Sequence, residues 1–228
     1  MNEPIELNAA DGHRLAAYLA VPVSTPRGGL IIVQEIFGVN SHVRAVADGF
    51  ALDGYLAIAP ALFDRVERGV DIGYTPEDIQ RGRALKEACS ADNAMLDIRG
   101  AVKLLQSRLA PGARMGIVGY CWGGLLTWRL ACTLSGLSAA APYYGGGMTV
   151  GDEPARQLAC PVMVHFGNQD HFIPMDTVEA FKKAQPGVQV HVYDANHGFN
   201  CDQRGAYNEA AATLARQRTL EFFAKNLV

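Results

Sequence analysis

The chain has 228 residues, of which 49% are hydrophobic and 19% are charged, and its formal net charge is -3 at pH 7. These values are typical of a globular protein, and the length suits a single domain over residues 1–228. A charge this small and evenly spread does not build the positive field that nucleic acid or an anionic membrane requires, so we expect neither partner.

The lack of a recognisable targeting signal and the cysteine usage both point to a reducing, aqueous compartment. Residues 1–4 lack the positive start and apolar run of a signal peptide, and no later apolar stretch approaches the ~20 residues that span a bilayer. The five cysteines are an odd number without paired spacing, which favours free thiols over disulfides. We therefore expect a cytoplasmic protein.

Apolar runs along the chain predict an α/β fold. The first two, over 5–7 and 15–21, form an antiparallel hairpin around the turn pair Asp11-Gly12. The unbroken run Leu30–Val33 is typical of a strand that is buried on both faces. Further strands are predicted at 56–59, 115–118, 139–141, 162–166 and 188–193, with helices around 41–53, 77–108, 124–135, 174–184 and 205–226. This alternation predicts one doubly wound, mostly parallel sheet with an N-terminal antiparallel hairpin.

A Gly-x-Cys-x-Gly motif stands at the carboxyl end of one predicted strand, where such sheets bind their ligands. Gly119-Tyr120-Cys121-Trp122-Gly123 has the spacing of the nucleophile elbow of α/β-hydrolases, with Cys121 where serine is commoner. The Trp122 N–H and the start of the next helix would supply an oxyanion donor. The alternative is a glycine-bounded turn around a buried structural cysteine.

The base and its orienting acid are predicted from chain order. In this fold the acid and then the base follow the nucleophile, and the base lies on the loop after the last strand, a position that only His197 occupies. Asp170 directly follows the preceding strand and would accept the second imidazole N–H. Asp176 and Asp194 are weaker alternatives for the acid, and an ordinary surface-loop histidine is the alternative for His197.

The remaining cysteines have other interpretations. Cys89 and Cys132 fall in predicted helices and Cys160 stands at a strand entrance, so we expect all three to be packed side chains. Cys201 lies four residues after the predicted base. A metal pair or a resolving thiol is conceivable there, but two ligands are too few for a zinc site, and we interpret Cys201 as part of the loop lining.

Glu35 ends an apolar run that should be buried. A buried carboxylate is costly unless it has a partner or a function. A purely structural pairing with Arg44 or Arg83 is the alternative to a role in the site.

Five segments spread over nearly the whole chain resemble the dienelactone hydrolases, also called carboxymethylenebutenolidases. They are Gln34–Asn40, Gly119–Gly124, Tyr143–Gly145, Gly167–Pro174 and Arg218–Phe223. The resemblance implies the α/β-hydrolase fold and a triad of Cys121, Asp170 and His197, in agreement with the placement above.

The resemblance also implies roles for a second group of residues. Glu35 would lie against the resting thiol and take its proton when substrate arrives, and the oxyanion donors would be the N–H groups of Ile36 and Trp122. The family archetype holds a substrate carboxylate with two arginines. Arg81 and Arg83 straddle the position of the first, without the archetype's neighbouring aromatic residues.

At the position of the second arginine this chain has Cys201, and Arg204 comes three residues later. Other expected substrate contacts are aromatic residues that follow the strand ends: Phe37, Tyr143, Tyr144 and Phe199. The region 60–90 is expected to form part of the pocket wall.

The sequence thus predicts a monomeric carboxylic ester hydrolase that uses a cysteine nucleophile on a small ester or lactone, as in aromatic catabolism, with no metal or organic cofactor. The loss of the second arginine favours an alternative, a general hydrolase of small, uncharged carboxylesters or thioesters. An alternative of another class is a ligand-binding or thiol-sensing protein without turnover.

Overall fold

A computed structural model describes residues 3–227, which divide into two compact units, residues 3–115 and Gly116–Leu227. Strands and helices alternate in both units, so the predicted α/β class is confirmed. A single domain over 1–228 stays a prediction. None of the helices that the structure describes combines the length and the apolar character of a membrane span.

The first unit is built around four strands in the order β1-β2-β4-β3. Its elements are β1 (Glu3–Asn8), β2 (Arg14–Ala20), β3 (Gly29–Val33), α1 (Ser41–Leu52), β4 (Leu56–Pro60), a 3₁₀ turn (Leu62–Arg65), α2 (Pro76–Ala88) and α3 (Ala91–Arg108). The hairpin β1-β2 is antiparallel, as predicted, and β3 pairs with β4 in parallel. Every residue of β3 and β4 is buried, which explains why their sequences are unbroken apolar runs.

The second unit has four parallel strands in the order β5-β6-β7-β8. Its elements are β5 (Met115–Tyr120), α4 (Trp122–Thr133), β6 (Ala139–Tyr143), a 3₁₀ turn (Glu153–Ala155), β7 (Met163–Gly167), α5 (Met175–Ala184), β8 (Gln189–Tyr193) and α6 (Glu209–Leu227). Helix α4 begins two residues earlier than predicted and α6 begins four residues later. Because parallel strands share their carboxyl edge, the segments that follow β5, β6, β7 and β8 meet there.

The helix predicted around 77–108 is instead two helices, α2 and α3. The hydroxyl of Thr75 and the carboxylate of Asp78 form a reciprocal capping box at the start of α2. Ser90 then caps α3, because its hydroxyl oxygen accepts the Asn93 N–H at 3.1 Å. Serine favours such a cap over a helix interior, and the break therefore lies at Ser90.

Candidate active site

Cys121 occupies a strained turn between β5 and α4. Its φ is 54° and its ψ is -116°, a conformation that side chains other than glycine rarely adopt. The other non-glycine residue with positive φ in the described chain is Tyr144, which follows the neighbouring strand β6. Strain of this kind costs about 1–3 kcal/mol per residue and concentrates at functional sites. Both strained residues lie at the predicted edge of the sheet.

Two glycines permit the close packing of this turn. A Cβ at Gly119 would lie 2.2 Å from the carbonyl oxygen of Gly123 and 2.3 Å from the hydroxyl of Thr127. A Cβ at Gly124 would lie 2.6 Å from the Tyr143 carbonyl oxygen. The motif therefore requires glycine because α4 returns directly over the end of β5.

Asp170 and His197 form a buried pair at the ends of β7 and β8. The Nδ1 atom of His197 donates to Asp170 Oδ2 at 2.7 Å, and both side chains are buried. The two loops approach closely because Gly167 has no side chain, and a Cβ there would lie 2.2 Å from the Ala195 carbonyl oxygen. Of the alternative acids, Asp194 accepts from Gln169 Nε2 instead.

His197 also interacts with Cys121. Burial on its own lowers the pKa of His197, but the coulombic interaction with Cys121 and hydrogen bonds to Asp170 and Cys121 outweigh burial. Together they raise the pKa of His197 from 6.5 to about 10. Since Nδ1 is bound to Asp170, Nε2 is left for Cys121. Cys121, His197 and Asp170 thus form a continuous series of contacts.

Burial governs the thiol groups of three other cysteines. Burial raises the pKa of Cys89, Cys132 and Cys160 to about 11, so these thiols are protonated at neutral pH. Cys201 is buried in the turn after Gly198. By contrast, Cys121 is partly exposed.

In the first unit, the segment after β3 carries three of the predicted site residues, Glu35, Ile36 and Phe37. Glu35 is only 2% exposed, and Gln34 anchors the segment by accepting the Leu62 N–H at 3.1 Å. Arg44, one of the alternative partners of Glu35, instead donates to Asp71 Oδ2 at 2.8 Å.

The carbonyl of Ile36 packs against helix α2, where a Cβ at Gly82 would lie 2.2 Å from its oxygen. This close packing places Arg81 and Arg83 on either side of the contact. Both arginines are exposed, and Arg81 is paired with Glu67.

The four aromatic residues predicted to contact substrate are all buried, each at most 2% exposed. Tyr143 shares a 2.7 Å hydrogen bond with Thr219, and the ring of Phe37 packs on Tyr74. Tyr144 and Phe199 pack on each other with ring centroids 5.2 Å apart. These are the contacts of core residues, and a direct substrate contact through them stays a prediction.

Sequence reasoning missed Phe172 as a site residue. Its ring lies 5.2 Å from the imidazole of His197 and its N–H donates to Asp170 Oδ1 at 2.8 Å. The available signal was its place two residues after the predicted acid.

Comparison with known proteins shows the family of the chain. The family model described as "Dienelactone hydrolase family" matches residues 15–227. The chain belongs to the dienelactone hydrolase family.

Named relatives of this hydrolase family cover nearly the whole chain. A carboxymethylenebutenolidase from Pseudomonas putida is 32% identical, over 98% of this chain and 97% of its own. The "Putative carboxymethylenebutenolidase" of Synechocystis sp. (strain ATCC 27184 / PCC 6803 / Kazusa) is 36% identical, over 94% and 93%.

Solved structures show the same fold. The crystal structure named "Putative Dienelactone Hydrolase" from Klebsiella pneumoniae subsp. pneumoniae MGH 78578 is 31% identical, with a TM-score of 0.86 and 99% of both chains covered. The Pyrococcus furiosus esterase Pf2001 is 16% identical, with a TM-score of 0.73 over 100% of this chain and 94% of its own. The predicted α/β-hydrolase fold is confirmed.

Proposed function

We propose that this hydrolase cleaves a small ester or lactone with Cys121 as nucleophile, His197 as acid and base, and Asp170 as the orienting carboxylate. The observation that carries the proposal is the chain of contacts from Asp170 through His197 to Cys121. The strained backbone of Cys121 supports it, since a packed structural cysteine does not require such a turn.

The reaction would proceed through a thioester. The Cys121 thiolate attacks the carbonyl carbon, and the Trp122 N–H is a donor to the oxyanion; the family resemblance implies the Ile36 N–H as the second donor. As the C–O bond breaks, the imidazolium of His197 gives its proton to the leaving oxygen. His197, now neutral, takes a proton from water, and the hydroxide attacks the thioester carbonyl. The C–S bond then breaks, which releases the acid and restores the Cys121 thiolate beside protonated His197.

Glu35 would act before the first step. In the family that this chain resembles, the equivalent glutamate takes the thiol proton when substrate arrives. The pairing of Arg44 with Asp71 disfavours a structural ion pair between Glu35 and Arg44. The pKa of His197 points to a second route to the thiolate, with His197 as the proton acceptor.

A thiol nucleophile suits esters and lactones better than amides. Thiolate is both a strong nucleophile and a good leaving group, so an attacked amide tends to expel the thiol again. An activated enol ester or lactone expels its own oxygen instead. Small activated esters are therefore the proposed substrate class, and dienelactone is the candidate suggested by the name of the family and of a solved structure.

A second candidate, a hydrolase of uncharged esters, is favoured by the arginine positions. Arg81 is paired with Glu67, and Cys201 replaces the archetype's second arginine. Arg204 packs against the backbone of Gly198, beside His197, and is the arginine of that loop. A contact between Arg204 and a substrate carboxylate would favour a charged substrate instead.

The test compares hydrolysis of dienelactone and p-nitrophenyl acetate by wild type, Cys121→Ala and, as a matched control, Cys132→Ala. Loss of both activities in Cys121→Ala alone is the expected result. If Cys121→Ala stays active, or wild type binds these esters without releasing acid, the proposal fails, and the second outcome indicates a binding protein. A preference for dienelactone that Arg204→Met abolishes would assign the carboxylate contact, while an unchanged preference would exclude Arg204.

A further inference from the structure

A buried network of side-chain hydrogen bonds joins β6, β7 and β8 to helix α6 in the second unit. The hydroxyl of Thr219 shares a 2.7 Å bond with the Tyr143 hydroxyl and a 3.0 Å bond with His165 Nε2. His165 Nδ1 shares a 2.8 Å bond with the Tyr193 hydroxyl, which also accepts from Arg218 Nη1 at 3.2 Å. Four of the five side chains are buried, and only Arg218 is partly exposed.

Two members of the network hold the triad segments through their backbone carbonyl groups. Tyr143 O accepts the Cys121 N–H at 3.1 Å, directly at the proposed nucleophile. Tyr193 O accepts two N–H groups, those of Asn168 at 2.8 Å and Ala195 at 2.9 Å. These residues stand two positions before the proposed acid and two positions before the proposed base. The network therefore connects the anchors of all three triad segments.

His165 connects the network to a ring that packs on the proposed base. Its carbonyl oxygen accepts the Tyr144 N–H at 2.8 Å. Tyr144 has a strained backbone with a φ of 35°, and its ring lies 5.1 Å from the imidazole of His197. The side chain of His165 stacks on the ring of Tyr143 with centroids 4.2 Å apart. The position of His165 thus affects both tyrosines at the end of β6.

The hydrogen bonds make this part of the core directional. Replacing both partners of a buried hydrogen bond with apolar groups of the same shape is nearly neutral, so stability alone does not call for hydroxyl groups here. A fully bonded polar network fixes one arrangement, because each bond requires a set distance and angle. Burial lowers the pKa of His165 well below its usual value, and His191 and Arg218 lower it further. The neutral imidazole can donate from one nitrogen and accept at the other.

We propose that this buried network aligns the triad, with Thr219 and Tyr193 as positioning residues for the hydrolysis reaction. The inference rests on the proposed function. Without the Thr219 hydroxyl, the end of β6 loses its side-chain bond to β7 and α6, and Cys121 can shift relative to His197. A misplacement of about 1 Å in reacting groups can lower the rate about 10²-fold. Substrate binding depends less on this alignment.

The test breaks the network at two different bonds. Thr219→Val removes the central hydroxyl, whereas Thr219→Ser keeps it. Tyr193→Phe removes the hydroxyl that His165 and Arg218 share but keeps the ring. Thr149→Val is the matched control, because the buried Thr149 loses a 2.8 Å bond to another hydroxyl, that of Thr177, outside the network.

The measurements are kcat and KM for p-nitrophenyl acetate and the NMR titration of the His197 imidazole. Thr219→Val and Tyr193→Phe are expected to lower kcat about ten- to hundredfold and to keep KM within about twofold. Both should also lower the pKa of His197, because burial lowers that pKa and the interaction with Cys121 is the strongest of the causes that raise it. Thr219→Ser and Thr149→Val should resemble wild type.

The control variants distinguish positioning from simple stabilisation. If Thr219→Val and Tyr193→Phe match Thr149→Val in kcat and in the pKa of His197, the network only stabilises the core and the proposal is overturned. A loss in Thr219→Ser as large as in Thr219→Val would overturn it as well. Should Thr219→Val not fold, Tyr193→Phe decides by the same two measurements. If wild type hydrolyses no ester, or Cys121→Ala stays active, the proposed function itself has failed.

Discussion

Replacing Cys121 by alanine should lower the pKa of His197, because the interaction with Cys121 is the largest of the causes that raise it. The rise from 6.5 to about 10 corresponds to about 5 kcal/mol in favour of the protonated imidazole. An opposite charge nearby shifts a pKa by about 1–3 units. We expect a fall of this size in Cys121→Ala, since the hydrogen bond to Asp170 remains while burial continues to oppose protonation.

The assay is an NMR titration of the His197 imidazole, with the resonance assigned by its loss in His197→Gln. Cys132→Ala is the matched control, because Cys132 is a second thiol on α4 and its pKa of about 11 keeps it neutral. A wild-type His197 that titrates near pH 6.5, or a pKa that Cys121→Ala leaves unchanged, would refute the interaction by which Cys121 raises the pKa of His197.

The same shift has a consequence for stability. A histidine whose pKa is raised on folding contributes stability that is fully present below its unfolded pKa and is lost as the pH rises through its folded pKa. For His197 these limits are 6.5 and about 10. The difference in the free energy of unfolding between wild type and His197→Gln should therefore shrink over this range.

Three further substitutions test other parts of the structure. Asp170→Asn should lower kcat/KM about 10²- to 10⁴-fold, because an amide can present a donor to His197 Nδ1; activity within a few-fold of wild type would exclude Asp170 as the orienting acid. Gly119→Ala should lower the free energy of unfolding, measured in urea, by about 1–3 kcal/mol. The control is Gly187→Ala, whose Cβ would meet nothing within 4 Å. Equal stability of the two variants would contradict the close packing described at Gly119. Arg65→Met should lower the free energy of unfolding by about 3–5 kcal/mol at pH 7, because it removes the partner of the buried Asp97, which Arg65 binds at 2.7 Å. The loss should shrink at low pH as Asp97 is protonated. A variant as stable as wild type at pH 7 would refute the stabilising role of this ion pair.

The elements easiest to predict from the sequence were those whose residue pattern reflects a single physical constraint, such as burial on both faces of a sheet. Strands β3 and β5 are buried along their whole length, so their unbroken apolar runs were sufficient to predict them. Chain order and strand ends also brought Asp170 and His197 together in the prediction. That prediction depends only on parallel strands sharing one edge.

Features that depend on packing were harder to predict. The break between α2 and α3 depends on whether Ser90 caps a helix or lies within one, and both are compatible with the apolar pattern. Tyr143 was predicted to contact substrate because it ends a strand, and its hydrogen bond to Thr219, 76 residues away in sequence, is not visible in that pattern. The place of Phe172 on His197 depends on the fold of the β7–α5 loop, which periodicity does not describe.

The most direct test of the central claim is the intact mass of the enzyme after rapid mixing with p-nitrophenyl acetate and acid quenching. We predict the added mass of one acetyl group on wild type, located on Cys121 by peptide mapping, and no addition in Cys121→Ala. Acetylation at another residue, or turnover by Cys121→Ala without a covalent intermediate, would contradict a cysteine nucleophile.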